Sequence, residues 1–251
     1  MTKKLKSGFP PQVFDKLSKQ EDASWWFVSR NEVIIWAIKR YAKNFKDFLE
    51  IGCGTGFVLQ AINRTFPGNH LFGDEYFKEG LEHAKKRVPD ASFRCLDATQ
   101  MHDKDCYDAI GAFDVIEHIE DDRLALLRCF HALRKDGYLF LTVPQHMWLW
   151  SELDEHSCHV RRYSKLELIE KVEQAGFKFV TSSSFISFLV PLMWLSRKGI
   201  GPNKEESKTE LNPFPWLNAL FRMVMKLEIM LLRFGVRFPI GGSLLLVAKK
   251  P

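Results

Sequence analysis

No stretch of this sequence stays apolar for the roughly 20 consecutive residues that a membrane-spanning helix needs, so no such helix is expected. Cysteine is scarce: Cys53, Cys95, Cys106, Cys129 and Cys158 make an odd set with no Cys-x-x-Cys pair. That argues against a disulfide framework and for reduced thiols in a cytosolic protein. There are no repeats or low-complexity tracts, so a solenoid is not expected. Nor is there a basic stretch interleaved with aromatics, so no nucleic-acid partner is expected. The opening MTKKLKSGFPPQ is charged but not apolar and lacks the pattern of a secretory signal. The net charge of +5 is spread along the chain, which fits a soluble basic surface better than a dedicated anion-binding face.

What is present is enough for a sizeable core: 251 residues, 46% of them hydrophobic, most simply one large domain. Short apolar runs alternate with helical periodicities. DFLEIG, NHLFGDE, ASFRCLD, YDAIGAFD, YLFLTVP, KFVTSS and SLLLVAKK read as seven strands. FVLQAINRTF, FKEGLEHAKKRV, DRLALLRCFHALRK and SKLELIEKVEQAGF read as helices, the third ending at Asp136-Gly137. This alternation predicts an α/β fold with a parallel sheet covered on both faces. Residues 1–45 form an N-terminal segment with a helix, 46–190 and 241–251 the core, and 191–240 an apolar helical insertion between the last two strands.

Gly52, Gly54 and Gly56 in LEIGCGTG stand between the first strand and its helix, where glycine permits a sharp turn and close approach by a ligand. A nicotinamide-binding turn is the rival, but it expects GxGxxG, whereas this turn reads GxGxG. Glu50 just before the turn would hinder a pyrophosphate and suits an ammonium. Glu75 ends the second strand where a carboxylate holds ribose hydroxyls, while Asp74 beside it points elsewhere. Asp97, after the third strand, suits an exocyclic amine. Together these acids outline a pocket for a nucleoside joined to an amino acid.

FLEIGCGTG, CLDA, AFDVIEHIEDD, LRKDGYLFLTVP and HVRRYSKLELIEKVEQAGF, in that order, resemble the class I S-adenosylmethionine (SAM)-dependent methyltransferases. The similarity is to the small-molecule branch related to the type 11 and type 23 methyltransferase domains. It covers roughly Trp25 to Phe185 plus the final strand. It implies a Rossmann-like seven-stranded, mostly parallel sheet whose last strand is antiparallel, with an N-terminal helical lid. By this likeness SAM is the cofactor; Glu50, Gly52, Cys53, Gly54 and Gly56 line its methionine part and Glu75 its ribose. Asp97 and Ala98 take the adenine, Phe113 borders the donor, and Arg30 reaches its carboxylate from the lid. Asp136-Gly137 replaces the family's Pro-Gly-Gly, a change in a turn.

On the acceptor side, methyl transfer asks mainly for positioning and exclusion of water, with histidine as a suitable base. His118, His146 and His159 are the candidates, and Arg161, Arg162, Tyr163 and Trp26 are candidates for holding the acceptor. The opposing reading of DEHSCHVRRYSKLEL is structural, with its arginines paired to local acids and Tyr163 packed under a helix. His156, Cys158 and His159 lack zinc-site spacing, so no metal is assigned. Trp25 and Trp26 serve equally as lid or as core.

In the insertion, Arg222, Lys226, Arg233 and Arg237 fall on one stripe of an otherwise apolar helix, and Glu228 stands apart from them. Such a helix suits a lipid-like acceptor or peripheral contact with the inner membrane face, or else a cap with its charges in water. The expected function is methyl transfer to a small apolar or amphipathic acceptor, isoprenoid, quinone-like or lipid-linked. The alternative is a non-catalytic SAM-fold scaffold at a membrane surface.

Overall fold

A computed structural model describes residues 12–197 and 214–251; the polar stretch Gly199 to Glu210 lies outside them. Seven strands form one sheet in the order β3-β2-β1-β4-β5-β7-β6. They are β1 (Asp47–Ile51), β2 (His70–Glu75), β3 (Ser92–Cys95), β4 (Tyr107–Phe113), β5 (Leu133–Pro144), β6 (Lys178–Phe185) and β7 (Ser243–Lys249). The pairs among β1 to β5 are parallel, and β7 runs antiparallel to both β5 and β6. Side chains alternate across the sheet: Phe48 joins one apolar layer and its neighbour Leu49 the other. Both layers are buried, which is why the inner strands read as nearly unbroken apolar runs.

One face is covered by α2 (Trp25–Tyr41), α3 (Phe57–Thr65) and α9 (Pro215–Arg233), the other by α5 (Asp122–Ala132) and α7 (Lys165–Gln174). The remaining helices are α1 (Gln12–Gln20), α4 (Lys78–Arg87), α6 (Glu152–His156) and α8 (Val190–Arg197). The expected helix stop at Asp136-Gly137 is corrected. α5 ends at Ala132, and Asp136 and Gly137 pair instead with Lys250 through backbone hydrogen bonds of 3.1 and 2.9 Å. Arg134, bridging Asp47 and Asp108, helps draw this segment into the sheet.

The insertion is built into the core. Phe221, Met225, Ile229 and Leu232 recur at helical spacing and are buried with α2 in one apolar layer. Trp25 and Phe221 meet edge to face at 5.2 Å. Asn218 accepts from the Trp25 backbone N–H at 2.8 Å and donates to the Ala23 carbonyl at 3.0 Å, holding the start of α2. Glu228 is buried and accepts from the backbone N–H groups of Ser187 and Phe188 at 2.8 and 3.1 Å. The basic stripe is shorter than expected: Arg237 lies beyond the helix end and folds back onto the Leu232 carbonyl.

Candidate active site

The carboxyl ends of β1 to β5 open into a cavity of about 1790 Å³ that runs from the glycine turn to the insertion. The turn depends on glycine. At Gly52 φ is +63°, and a Cβ there would lie 2.5 Å from a Val115 methyl. Gly56 is not on the cavity wall; a Cβ there would press on Ala84, so it serves the packing of α3 against α4.

Glu75 accepts from the backbone N–H groups of Gly54 and Phe77, both at 2.9 Å, which fixes its carboxylate at the cavity wall. Burial raises its pKa against those two bonds. Asp74 turns the other way, gripped by Arg94 through two bonds of 2.7 Å. Glu50 is 2% exposed, and its Oε2 has no partner. Burial pushes its pKa well above the usual carboxylate range, and Arg30 only partly opposes this. Asp97 accepts from Thr99 N–H and Oγ1 at 2.8 Å each and, with Ala98, Phe113 and Cys53, lines the same end. The Cys53 thiol is buried and pushed well up by burial and the nearby acids, so it is no nucleophile.

Arg30 also lines the cavity, but its charge is already met: Nη1 lies 2.6 Å from Asp114, and the guanidinium sits 4.7 Å over the Trp26 ring. One contact escaped sequence reading. Glu21, just after α1, accepts from Thr55 Oγ1 at 2.6 Å and from Arg87 at 3.1 Å, tying α1 over the glycine turn. The three partners come from three segments, and no spacing rule links them.

The second polar wall centres on Asp154, which is fully buried. It accepts from Arg162 at 2.7 and 3.0 Å, from the Ser151 backbone at 2.8 Å, and pairs with His159 Nδ1 at 2.8 Å. Burial alone would raise its pKa, but the bonds from His159 and Arg162 outweigh that and hold it far below the usual range. The rings of His118 and His159 meet at 4.8 Å and 69°. Burial and the neighbouring His159 bring His118 down to about 4. Glu117 beside them is 0% exposed, with neither carboxylate oxygen partnered.

His118, His159, Arg162 and Trp26 thus reach the cavity wall, whereas His146, Arg161 and Tyr163 do not. Asp122 accounts for two of these absences. It takes Arg161 at 2.6 Å, Lys171 at 2.5 Å and the Tyr163 hydroxyl at 2.7 Å. Tyr163 is 0% exposed and donates as well to the Ile116 carbonyl at 3.2 Å. His146 instead stacks on Trp148, with centroids 5.2 Å apart. The far end of the cavity is apolar, walled by Ile186, Leu189, Met193, Leu217 and Phe221.

A Rossmann-like sheet with a glycine turn, acids at successive strand ends and a second compartment is the architecture of a class I methyltransferase. Residues 29–182 match the model of the methyltransferase-domain family, more than half of the chain. The chain belongs to that family, and SAM is the family's methyl donor. A "Probable S-adenosylmethionine-dependent methyltransferase" of Mycolicibacterium smegmatis is 27% identical over 62% of this chain and 61% of its own length. A malonyl-[acyl-carrier protein] O-methyltransferase of Bacillus anthracis is 29% identical over 41% of this chain and 40% of its own length. A ubiquinone biosynthesis O-methyltransferase of Bradyrhizobium diazoefficiens is 25% identical over 40% of each chain. The chain therefore matches less than two thirds of each of these relatives. Among solved structures, a SAM-dependent methyltransferase from Thermotoga maritima superposes with a TM-score of 0.60 at 16% identity, covering 96% of this chain and 95% of that one. At that identity the likeness shows the fold.

Proposed function

We propose that this chain transfers a methyl group from SAM to a small apolar or amphipathic acceptor of isoprenoid, quinone-like or lipid-linked type. The observation that carries this is the cavity. Its volume of about 1790 Å³ exceeds the roughly 300–1,000 Å³ of a single-ligand site, and its two ends differ in chemistry. In this reading the unpartnered Oε2 of Glu50 accepts from the donor's ammonium, which restores the charge of the carboxylate, and Glu75 binds the ribose hydroxyls. Asp97 and Ala98 face the adenine, Gly52 and Gly54 admit the methionine part, and Phe113 borders the donor. The acceptor lies between the His118–His159 wall and the apolar end, with Trp26 as part of its cover. Its nucleophilic atom attacks the sulfonium methyl carbon, and the electron pair of the breaking carbon–sulfur bond returns to sulfur.

The acceptor enters, on this proposal, from a bilayer interface. Large apolar side chains are exposed in number between residues 188 and 240, among them Trp194, Phe214, Trp216, Met223 and Phe234. Lys226 and Arg233 are exposed on the same helix, so apolar contact and attraction to anionic lipid act together. Leu192 and Phe214 belong both to this surface and to the cavity wall. No helix among the described residues is long and apolar enough to cross a membrane, and the proposal requires only peripheral contact.

Calorimetric titration with SAM and its demethylated product, with NADH as control, tests the donor half. Flotation with anionic and neutral vesicles tests the entry route. Saturable binding of the first two ligands, none of NADH, and flotation favouring anionic vesicles are expected. Flotation without SAM binding would favour the non-catalytic scaffold instead.

A further inference from the structure

The acceptor wall contains a group that methyl transfer by itself does not explain. Glu117 is a fully buried carboxyl with two unpartnered oxygens, placed on the cavity wall beside two imidazoles. An unpaired buried carboxylate is costly, so the site is incomplete as a pure protein structure. One ligand atom from each of Glu117, His118 and His159 falls within 4.8 Å of the others. We propose that these three residues hold a divalent first-row transition-metal ion, with its open coordination positions turned to the acceptor compartment.

The support is geometric. His159 Nδ1 is engaged by Asp154 at 2.8 Å, which leaves Nε2 as the free ring nitrogen on the wall. A carboxylate behind a ligating imidazole is a recurrent means of orienting the ring and raising its basicity. Asp154 is itself fixed by Arg162, so the orientation is rigid. The two halves of the cluster are joined through the backbone, Val160 N–H donating to the Glu117 carbonyl at 2.9 Å. The two arginines nearest the wall, Arg30 and Arg162, are paired with Asp114 and Asp154, so they do not confront a cation as free charges.

Two imidazoles and one carboxylate suit Mn²⁺, Fe²⁺ or Zn²⁺ rather than Ca²⁺. The spacing within residues 156–159 had argued against a metal in that stretch alone. The ligands instead come from two segments, after β4 and after α6, that only the fold brings together. A cation here would bind an acceptor oxygen and lower the pKa of a coordinated hydroxyl, which would release its proton to water and become the nucleophile. The inference rests on the acceptor-compartment reading above, deepening it from position to chemistry.

The test uses the full chain, stripped with chelator and titrated with Mn²⁺ under electron paramagnetic resonance. Mn²⁺ is chosen because it has little affinity for the exposed thiols of Cys95 and Cys158. One saturable Mn²⁺ per chain is expected, with at least tenfold weaker binding in Glu117→Gln and in His159→Asn. SAM binding, measured separately by calorimetry, is expected to be unchanged in both variants, which also reports that they are folded. Absence of saturable Mn²⁺ binding, or binding that survives both substitutions, overturns the proposal and leaves Glu117 as a neutral buried acid. Mn²⁺ uptake without SAM binding would leave the metal site standing and remove the donor reading.

Discussion

The proposed donor end and the proposed acceptor end of the cavity are built in different ways. The proposed donor end takes most of its wall from one continuous piece of chain, Glu50 to Val115, covered by α1 and the start of α2, and its acids sit where successive strands stop. The acceptor end is assembled from β4 and β5, the loop around α6, and the insertion, elements far apart in sequence. The two ends also dispose of charge differently. At the acceptor end the cations suggested by sequence, Arg161 and Arg162, are spent on Asp122 and Asp154. The carboxylate oxygens left without a hydrogen-bond partner at the two ends are one of Glu50 and both of Glu117. The lesson is that a conspicuous charge in a motif marks a ligand contact only if no nearer partner claims it.

Arg162→Ala is the most severe way to test that contrast. It leaves the fully buried Asp154 without its cation, and breaking such a pair costs about 3–5 kcal/mol. Urea unfolding should show that loss, whereas an unchanged midpoint with a raised acceptor KM would return Arg162 to substrate binding. Glu75→Ala attacks the donor end. It should weaken SAM by roughly 10- to 100-fold, the scale of about 1.5–3 kcal/mol for bonds to a charged group, and lower stability by about 1–3 kcal/mol because the Gly54 and Phe77 N–H groups lose their acceptor. Equal SAM affinity in calorimetry would displace Glu75 from the donor site.

Tyr163→Phe removes a buried hydroxyl bonded to Asp122 and the Ile116 carbonyl, and should cost about 1–3 kcal/mol of stability with the acceptor KM unchanged. A higher KM at unaltered stability would make Tyr163 part of the acceptor wall after all. Acid probes the same cluster. Burial would raise the Asp122 pKa, but the bonds from Lys171, Tyr163 and Arg161 outweigh it and hold the pKa below the usual range. Its folded pKa being the lower one, the stabilisation is complete above about pH 4 and declines as pH falls through the folded value. Asp122→Asn should flatten that part of a stability–pH profile. The smallest effect on folding is expected from Trp216→Glu with Met223→Glu, both exposed on α9. Stability should change by less than about 0.5 kcal/mol per site while vesicle flotation falls several-fold. Undiminished flotation would count against α9 as the lipid-facing surface.

Legibility in the sequence follows the same division. Strand and helix positions were readable because apolar periodicity reports burial directly, and the order of the elements carried the family resemblance. Two exceptions were the stop at Asp136-Gly137, where pairing with Lys250 in the sheet overrode local turn chemistry, and Arg237, which lies beyond the end of α9. Glu75 was distinguishable from Asp74 by strand alternation alone, and the structure separates the two, one on the cavity wall and one on Arg94. Glu21 was not readable, because its partners Thr55 and Arg87 are joined to it only by folding. Nor was the burial of Glu228 beneath Ser187 and Phe188, since a lone acid among apolar residues does not name its donors.

The sequence by itself determined the sheet, the glycine turn, the acids at the strand ends and the family, because each is written in local spacing or in the order of elements. Only the tertiary structure decided which polar side chains face the cavity. Asp122 and Asp154 decided it by proximity, taking the nearby cations at 2.5 to 3.0 Å. Glu117, fully buried, was left with both oxygens unpartnered beside His118 and His159. Pairing of that kind depends on distance in space, and separation along the chain carries no record of it.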